Sequence, residues 1–335
     1  MAVARPVHIL TGYLGSGKTT LLSRLLQDSA LTDTAVVINE LGEVGLDHVL
    51  VDRGSEGDVV LLDSGCLCCA LGNSLQETLE SLHYRRERGE LPPFARVVVE
   101  TSGVADPAPI AATLGLDSAI VRHYRLGSIV TVVDAVNGIA HLDRFAEARR
   151  QVAMADRLIV SKRDIADPAT IARLGARLTA LNPHAPQVAA IAGDVGAHDV
   201  LVDAVATQPL RDAEISSAHL HDDDAHDDEH DHLGRQGIAA TTIRLDTPLD
   251  WPRYAAWVRW AQRTLGDGLV RMKGAVRMAD GEIRALHAVM RLFSAPSPLS
   301  SLPDEFGAGV IILVTQDVAP STLDEARRRL LGDVQ

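Results

Sequence analysis

Residues 11–20 read TGYLGSGKTT, and no other stretch narrows the fold of this chain as far. Gly12, Gly17, Lys18 and Thr19 complete the spacing G-x-x-x-x-G-K-[ST]; the apolar run VHIL (7–10) stands directly before it and the helical pattern KTTLLSRLLQD (18–28) directly after. A glycine-rich turn between strand and helix lets the backbone wrap closely around phosphate oxygens, so that successive N–H groups and the positive end of the helix face the anion. The expected phosphate contacts are Gly12, Gly15, Ser16, Gly17, Lys18, Thr19 and Thr20. Lys18 would reach the β and γ phosphates, and the Thr19 hydroxyl would hold Mg²⁺. A glycine-rich turn without ligand is the alternative, and it leaves the agreement of strand, loop and helix unexplained.

Apolar runs rich in β-branched residues recur along the first two thirds of the chain: AVVI (35–38), VVLL (59–62), RVVVET (96–101), SIVTVVD (128–134), RLIVSK (157–162) and QVAAIAG (187–193). Continuous rather than alternating hydrophobicity is what strands buried on both faces need, and the intervening helical patterns supply crossovers. The spacing predicts an α/β fold: a P-loop NTPase domain over 1–208, with a mostly parallel sheet flanked by helices. Residues 209–237 carry HLHDDDAHDDEHDH (219–232) and little that can be buried, which predicts a flexible linker. Residues 238–335 predict a small α+β domain. Its strand candidates lie in GIAATTIRL, GLVRMKGAVRM, IRALHAVMRLF and GVIILVTQ; WPRYAAWVRWAQRTL is amphipathic, and STLDEARRRLL is a helix capped by Ser321 or Thr322.

Two further elements fit a nucleotide. Glu100 ends RVVVE and precedes the polar loop TSGVADP, at the sheet edge where an acid can order Mg²⁺ through water or position an attacking water. The other role open to it is capping the following helix. SKRD at 161–164 ends a later strand. The Asp164 carboxylate can accept from the N1–H and exocyclic amine of guanine, whereas adenine has no such pair of donors. Lys162 can lay its stem over the base. A surface turn is the other reading of KRD.

All three cysteines, Cys66, Cys68 and Cys69, fall in GCLCC, so they cannot staple distant parts of the chain. Clustered thiolates bind Zn²⁺, Cu⁺ and, less tightly, Co²⁺ or Ni²⁺. C-x-C-C cannot surround a tetrahedral ion unaided; Glu40 and Glu43 in NELGEVGLD are the candidates that would complete it. Structural thiols or a redox pair are the alternatives. Because NELGEVGLD follows the second strand, Glu40 could sense the nucleotide while the same loop serves the thiols. His219, His221, His226, His230 and His232 could chelate divalent ions, or the tract could be a solvated acidic tether.

The net charge is −13, and seven acids with no base fall between His219 and His232. That balance argues against nucleic acid and anionic membrane as partners. No apolar run approaches the roughly 18 residues of a membrane span, and no signal peptide is evident, so the expectation is a cytoplasmic protein. Arg271, Lys273 and His287 are weaker candidates for touching a partner. His8 and His123 have no ligand-spaced neighbours and read as ordinary histidines.

Taken in order, TGYLGSGKTT, NELGEVGLD, GCLCC, ETSG and SKRD resemble the motifs of the CobW-like P-loop GTPases, and the linker and RMKG of the last domain are also similar to that family. Ser161 stands where the guanine-reading element N-K-x-D has Asn. The resemblance implies a GTP-hydrolysing metallochaperone with Mg²⁺ as cofactor and Zn²⁺ or Co²⁺ as cargo for a client metalloprotein, in a class that forms homodimers. It implies that Lys18 and Glu100 serve catalysis, that Ser161, Lys162 and Asp164 read guanine, and that Cys66, Cys68 and Cys69 hold the cargo. Two other classes stay open: an ATP-dependent small-molecule kinase with a structural zinc, and a non-enzymatic metal buffer built on the histidine tract.

Overall fold

The computed structural model describes residues 4–38, 60–63, 74–191, 193–201 and 237–332. In the first part, β1 (Arg5–Thr11) leads into α1 (Lys18–Leu25), followed by β2 (Thr34–Ile38), β3 (Val60–Asp63), α2 (Ser74–Glu87), β4 (Arg96–Glu100) and α3 (Ala108–Leu116). Then come β5 (Tyr124–Asp134), α4 (Gly138–Arg144), α5 (Ala146–Met154), β6 (Arg157–Ser161), α6 (Pro168–Leu181), β7 (Gln187–Ala189) and α7 (Ala197–Val200). The strands form one sheet in the order β3-β2-β4-β1-β5-β6-β7. All its pairings are parallel.

The burial of these strands follows from the apolar runs. Val7, Ile9, Val97, Val99, Ile129 and Val130 are fully buried, as strands covered on both faces must be. The side chains of α1 (Leu21, Leu22, Leu25) pack with Leu10, Val36, Val98, Val130 and Ile159 in one cluster. Because β1 sits between β4 and β5, connections leave it in both directions, and the carboxyl ends of the central strands open a crevice at that switch point. Thr11, Glu100, Asp134 and Ser161 all stand at this edge.

The last part begins with β8 (Ile238–Leu245) and α8 (Trp251–Thr264), continues through β9 (Leu269–Arg277), β10 (Ile283–Val289), β11 (Leu292–Phe293), β12 (Ser297–Pro298) and β13 (Gly309–Gln316), and ends in α9 (Pro320–Leu331). Here the sheet is antiparallel, in the order β11-β10-β9-β13-β8 with β12 on β10. Asp250 caps α8 by accepting from Arg253 N at 2.7 Å. Trp257 is buried and donates its indole N–H to Ala326 O at 3.0 Å, which fixes α8 against α9. Trp260 is also buried, whereas Trp251 is exposed. Truncating Trp257 to alanine would cost about 3–5 kcal/mol.

The described residues divide into two compact units: those within 1–177 and 185–204 form the first, and those within 178–184 and 205–335 the second. Two local expectations change. The run 283–293 is a hairpin rather than one strand, because Met290 turns with φ 52° between β10 and β11. The cap of α9 is Ala319, with Pro320 entering the first turn and no side-chain cap bond; proline's fixed φ starts the helix earlier than Ser321 or Thr322.

Candidate functional site

The loop from Gly12 to Gly17 takes backbone angles that side chains resist: φ is 145° at Gly12, 72° at Gly15 and 95° at Gly17. At Gly12 space is also closed, since a Cβ would run into the Val132 carbonyl of β5. Gly17 starts α1 without any side-chain cap bond. The first N–H groups of an uncapped helix need an acceptor, and an anion is a suitable one.

Lys18 is buried and folds back so that Nζ donates to Gly12 O at 2.9 Å. Thr19 Oγ1 donates to Glu100 Oε1 at 2.9 Å. Glu100 is itself buried at the end of β4. Beyond the strand ends, Thr101 Oγ1 donates to Thr11 Oγ1 at 2.8 Å, tying β4 to β1 at the mouth of the loop. A hydroxyl and a carboxylate this close form an oxygen donor set suited to a hard divalent cation such as Mg²⁺. Thr20 lies exposed one position further on.

The SKRD segment meets the same loop from the other side. Ser161 Oγ donates to Ser16 O at 2.6 Å and Lys162 Nζ to Gly15 O at 2.6 Å. Lys162 adopts φ 55°, unusual for a side-chain-bearing residue, which swings its amine onto the loop. Asp164, two positions on, is exposed. Ser16 is buried, and its own Oγ has no hydrogen-bond partner.

Asp134, which sequence reasoning passed over as a strand end, is a buried partner of Lys162. Its carboxylate accepts from Val136 N at 2.7 Å, from Asn137 Nδ2 at 2.9 Å and from Lys162 Nζ at 2.8 Å. Burial alone would raise its pKa, and the bonds from Lys162, Asn137 and Val136 more than reverse this, leaving it below the ordinary carboxyl value. The signal available in sequence was an aspartate closing a buried apolar run. Tyr13 of the loop stacks on Phe145 with ring centroids 4.5 Å apart, and His141 tilts against it at 4.8 Å.

Lys18, Thr19 and Glu100 thus converge with Ser161 and Lys162 on one loop. Glu40, Glu43, Cys66, Cys68, Cys69 and the histidine tract lie outside the described residues. Among the described residues no cluster of three or more His, Cys, Asp or Glu side chains is placed to hold a metal. No helix among them is long and apolar enough to cross a membrane. His8 Nδ1 lies 2.7 Å from Ser128 Oγ, and His123 stacks on His83 with centroids 3.6 Å apart.

Residues 6–189 match the family described as CobW/HypB/UreG, nucleotide-binding domain, and residues 238–331 match the cobalamin synthesis protein cobW C-terminal domain. The chain is 32% identical over 300 residues to the "Zinc chaperone YjiA" of Escherichia coli (strain K12), covering 86% of this chain and 87% of that protein. It is 28% identical over 341 residues to the "Zinc-regulated GTPase metalloprotein activator 1" of Schizosaccharomyces pombe, with 90% and 79% covered. The crystal structure of Zn(II)-bound YjiA GTPase from E. coli superimposes with a TM-score of 0.72 at 26% identity, covering all of both chains. With its P-loop, its second-domain sheet and these matches in agreement, the chain belongs to the CobW/HypB/UreG family.

Proposed function

We propose that this chain is a GTP-hydrolysing metallochaperone whose cargo is zinc. The loop N–H groups and Lys18 receive the phosphates, Asp164 reads the guanine edge, and Ser161 and Lys162 hold that reader against the loop. Thr19 and Glu100 would hold Mg²⁺, which supplies charge neutralisation at the β and γ phosphates. Glu100 also offers the attacking water a carboxylate at a fixed place. Cys66, Cys68 and Cys69, with Glu40 and Glu43, take the zinc, and a client metalloprotein receives it.

One row of backbone pairing carries this reading. Asp63, Ile38, Glu100 and Leu10 are paired in register across β3, β2, β4 and β1. β2 and β3 therefore end at Ile38 and Asp63 on the edge where Glu100 meets Thr19, and in the sequence Glu40 follows Ile38 by two positions and Cys66 follows Asp63 by three. Of the strands that precede these residues in the sequence, β2 pairs with the strand that ends in Glu100 and β3 pairs with β2, which supports coupling between nucleotide and zinc. The family match and the zinc-chaperone and GTPase names of the relatives support the same reading.

The test is zinc affinity, measured by chelator competition in GDP and in a non-hydrolysable GTP analogue. The affinities should differ by about tenfold, a coupling of roughly 1.4 kcal/mol. Replacing Cys66, Cys68 and Cys69 with serine should remove the nucleotide-sensitive site and spare guanine binding; Lys18→Ala should do the reverse. Equal zinc affinities in the two nucleotides would sink the coupling.

A further inference from the structure

The loop that follows Glu100 is held from below by a side chain with no part in the site described so far. Gln151 on α5 is buried, and its Nε2 donates to Gly103 O at 3.2 Å and to Ala105 O at 2.9 Å. Both partners are carbonyls, so only the amide NH₂ can serve them and the orientation of the carboxamide is fixed by chemistry. Its Oε1 is buried without a hydrogen-bond partner. The main chain of Gln151 is anchored in turn, because its carbonyl accepts from Thr131 Oγ1 of β5 at 2.8 Å. One residue earlier, Arg150 Nε stands 2.8 Å from Asp106 Oδ2, and Asp106 Oδ1 accepts from Ala108 N at 2.9 Å at the start of α3. Two successive residues of α5 thus grip the loop at Gly103, Ala105 and Asp106.

Where the grip sets the loop down matters. Gly103 lies so close to the P-loop that a Cβ there would come within 2.8 Å of Leu14 N. The loop begins at Glu100, the partner of Thr19, and touches the P-loop at Leu14. In GTP-dependent switches, segments beside the metal and the terminal phosphate take different positions in the two nucleotide states. An apolar residue at position 151 would fill the same space without sealing an unpaired oxygen into the interior, so packing alone does not account for a carboxamide here.

We infer that Gln151, assisted by Arg150, is a positioning residue that seats the Gly103–Asp106 loop on the P-loop and thereby sets how strongly a triphosphate is distinguished from a diphosphate. This rests on the reading of the P-loop as a guanine-nucleotide site. Gln151 touches no phosphate in this scheme; it acts through the carbonyls of Gly103 and Ala105.

The experiment uses the full chain with Mg²⁺ and compares wild type, Gln151→Met and Arg150→Ala. Affinities for GDP and for a non-hydrolysable GTP analogue are measured by titration, with kcat and KM for GTP alongside. Gln151→Met should leave GDP affinity within about twofold and change the analogue-to-GDP affinity ratio by about fivefold or more, the worth of one or two ordinary hydrogen bonds. The kcat should fall more than KM rises, and Arg150→Ala should move the ratio in the same direction. A purely structural role would lower the melting temperature and leave the ratio alone. A folded Gln151→Met with ratio and kcat both within twofold of wild type overturns the inference while the nucleotide site stands. Should Gln151→Met fail to fold, the ratio in Arg150→Ala decides by the same limits. A wild type that binds neither nucleotide overturns both readings together.

Discussion

The Thr19 hydroxyl and the Glu100 carboxylate meet at 2.9 Å, joining the first turn of α1 to the last residue of β4. β4 is paired on both sides, by β1 and β2, so this pair holds the edge proposed for Mg²⁺ on a central strand.

Replacing Glu100 with glutamine keeps the hydrogen bond and removes the charge. GTP binding should stay within a few-fold of wild type while kcat falls by about 100-fold, the range of a lost general base or metal-ordering group. Phosphate release at saturating GTP, beside a binding titration, separates the two effects. Equal losses in binding and turnover would assign Glu100 a structural role.

Gly12→Ala introduces a methyl group against the Val132 carbonyl at a φ that alanine resists. The strain should exceed about 1 kcal/mol and displace the loop from β5. Thermal unfolding should show a lower midpoint, and nucleotide titration a loss of affinity larger than the change in stability alone would give.

In the proposed base site, Asp164→Asn turns an acceptor of two guanine donors into a group whose oxygen still accepts from N1–H but whose amide N–H faces the exocyclic amine. GTP affinity should fall by about 10- to 100-fold, the worth of hydrogen bonds to a charged group. Xanthosine triphosphate, which presents a carbonyl where guanine has its amine, should gain relative to GTP. Competition between the two nucleotides reads this directly. An unchanged preference would remove Asp164 from the base site.

Stability should decline on mild acidification. The pKa of His83 lies below its ordinary value, first because of burial and then because His123 is stacked on it. Burial, with Lys273 and Arg271 nearby, pushes His287 down to about 3. Both groups favour the neutral form when folded, so the unfolded chain binds more protons as pH falls below its ordinary imidazole value of about 6.5. The contribution is complete above that pH and is lost progressively below it. Melting temperatures between about pH 7.5 and 5.5 should therefore fall, and His83→Leu should flatten the slope.

The strands were legible because a sheet covered on both faces leaves a continuous apolar signature: RVVVE became β4 over the same residues, and VHIL lies inside β1. The P-loop was legible because its glycines answer a local backbone demand visible in spacing alone. What sequence could not show are meetings between distant positions. Asp134 and Lys162 stand 28 residues apart and meet because β5 and β6 are neighbours. Gln151 reaches back 48 residues to Gly103, and nothing in QVAM marks that glutamine as facing inward. The helix cap at Ala319 was misplaced because Pro320 can occupy a first turn that the hydroxyls further on seemed to claim.

The two short bonds from Ser161 to Ser16 and from Lys162 to Gly15 make the jaw proposed for the base and the jaw proposed for the phosphates a single piece. A ligand that fills one jaw finds the other already at a set span, as with a caliper locked at one opening. On that proposal, pyrophosphate or a free nucleobase would engage one end and forfeit the other, and the chain would gauge the length of a whole nucleotide before any of its chemistry began.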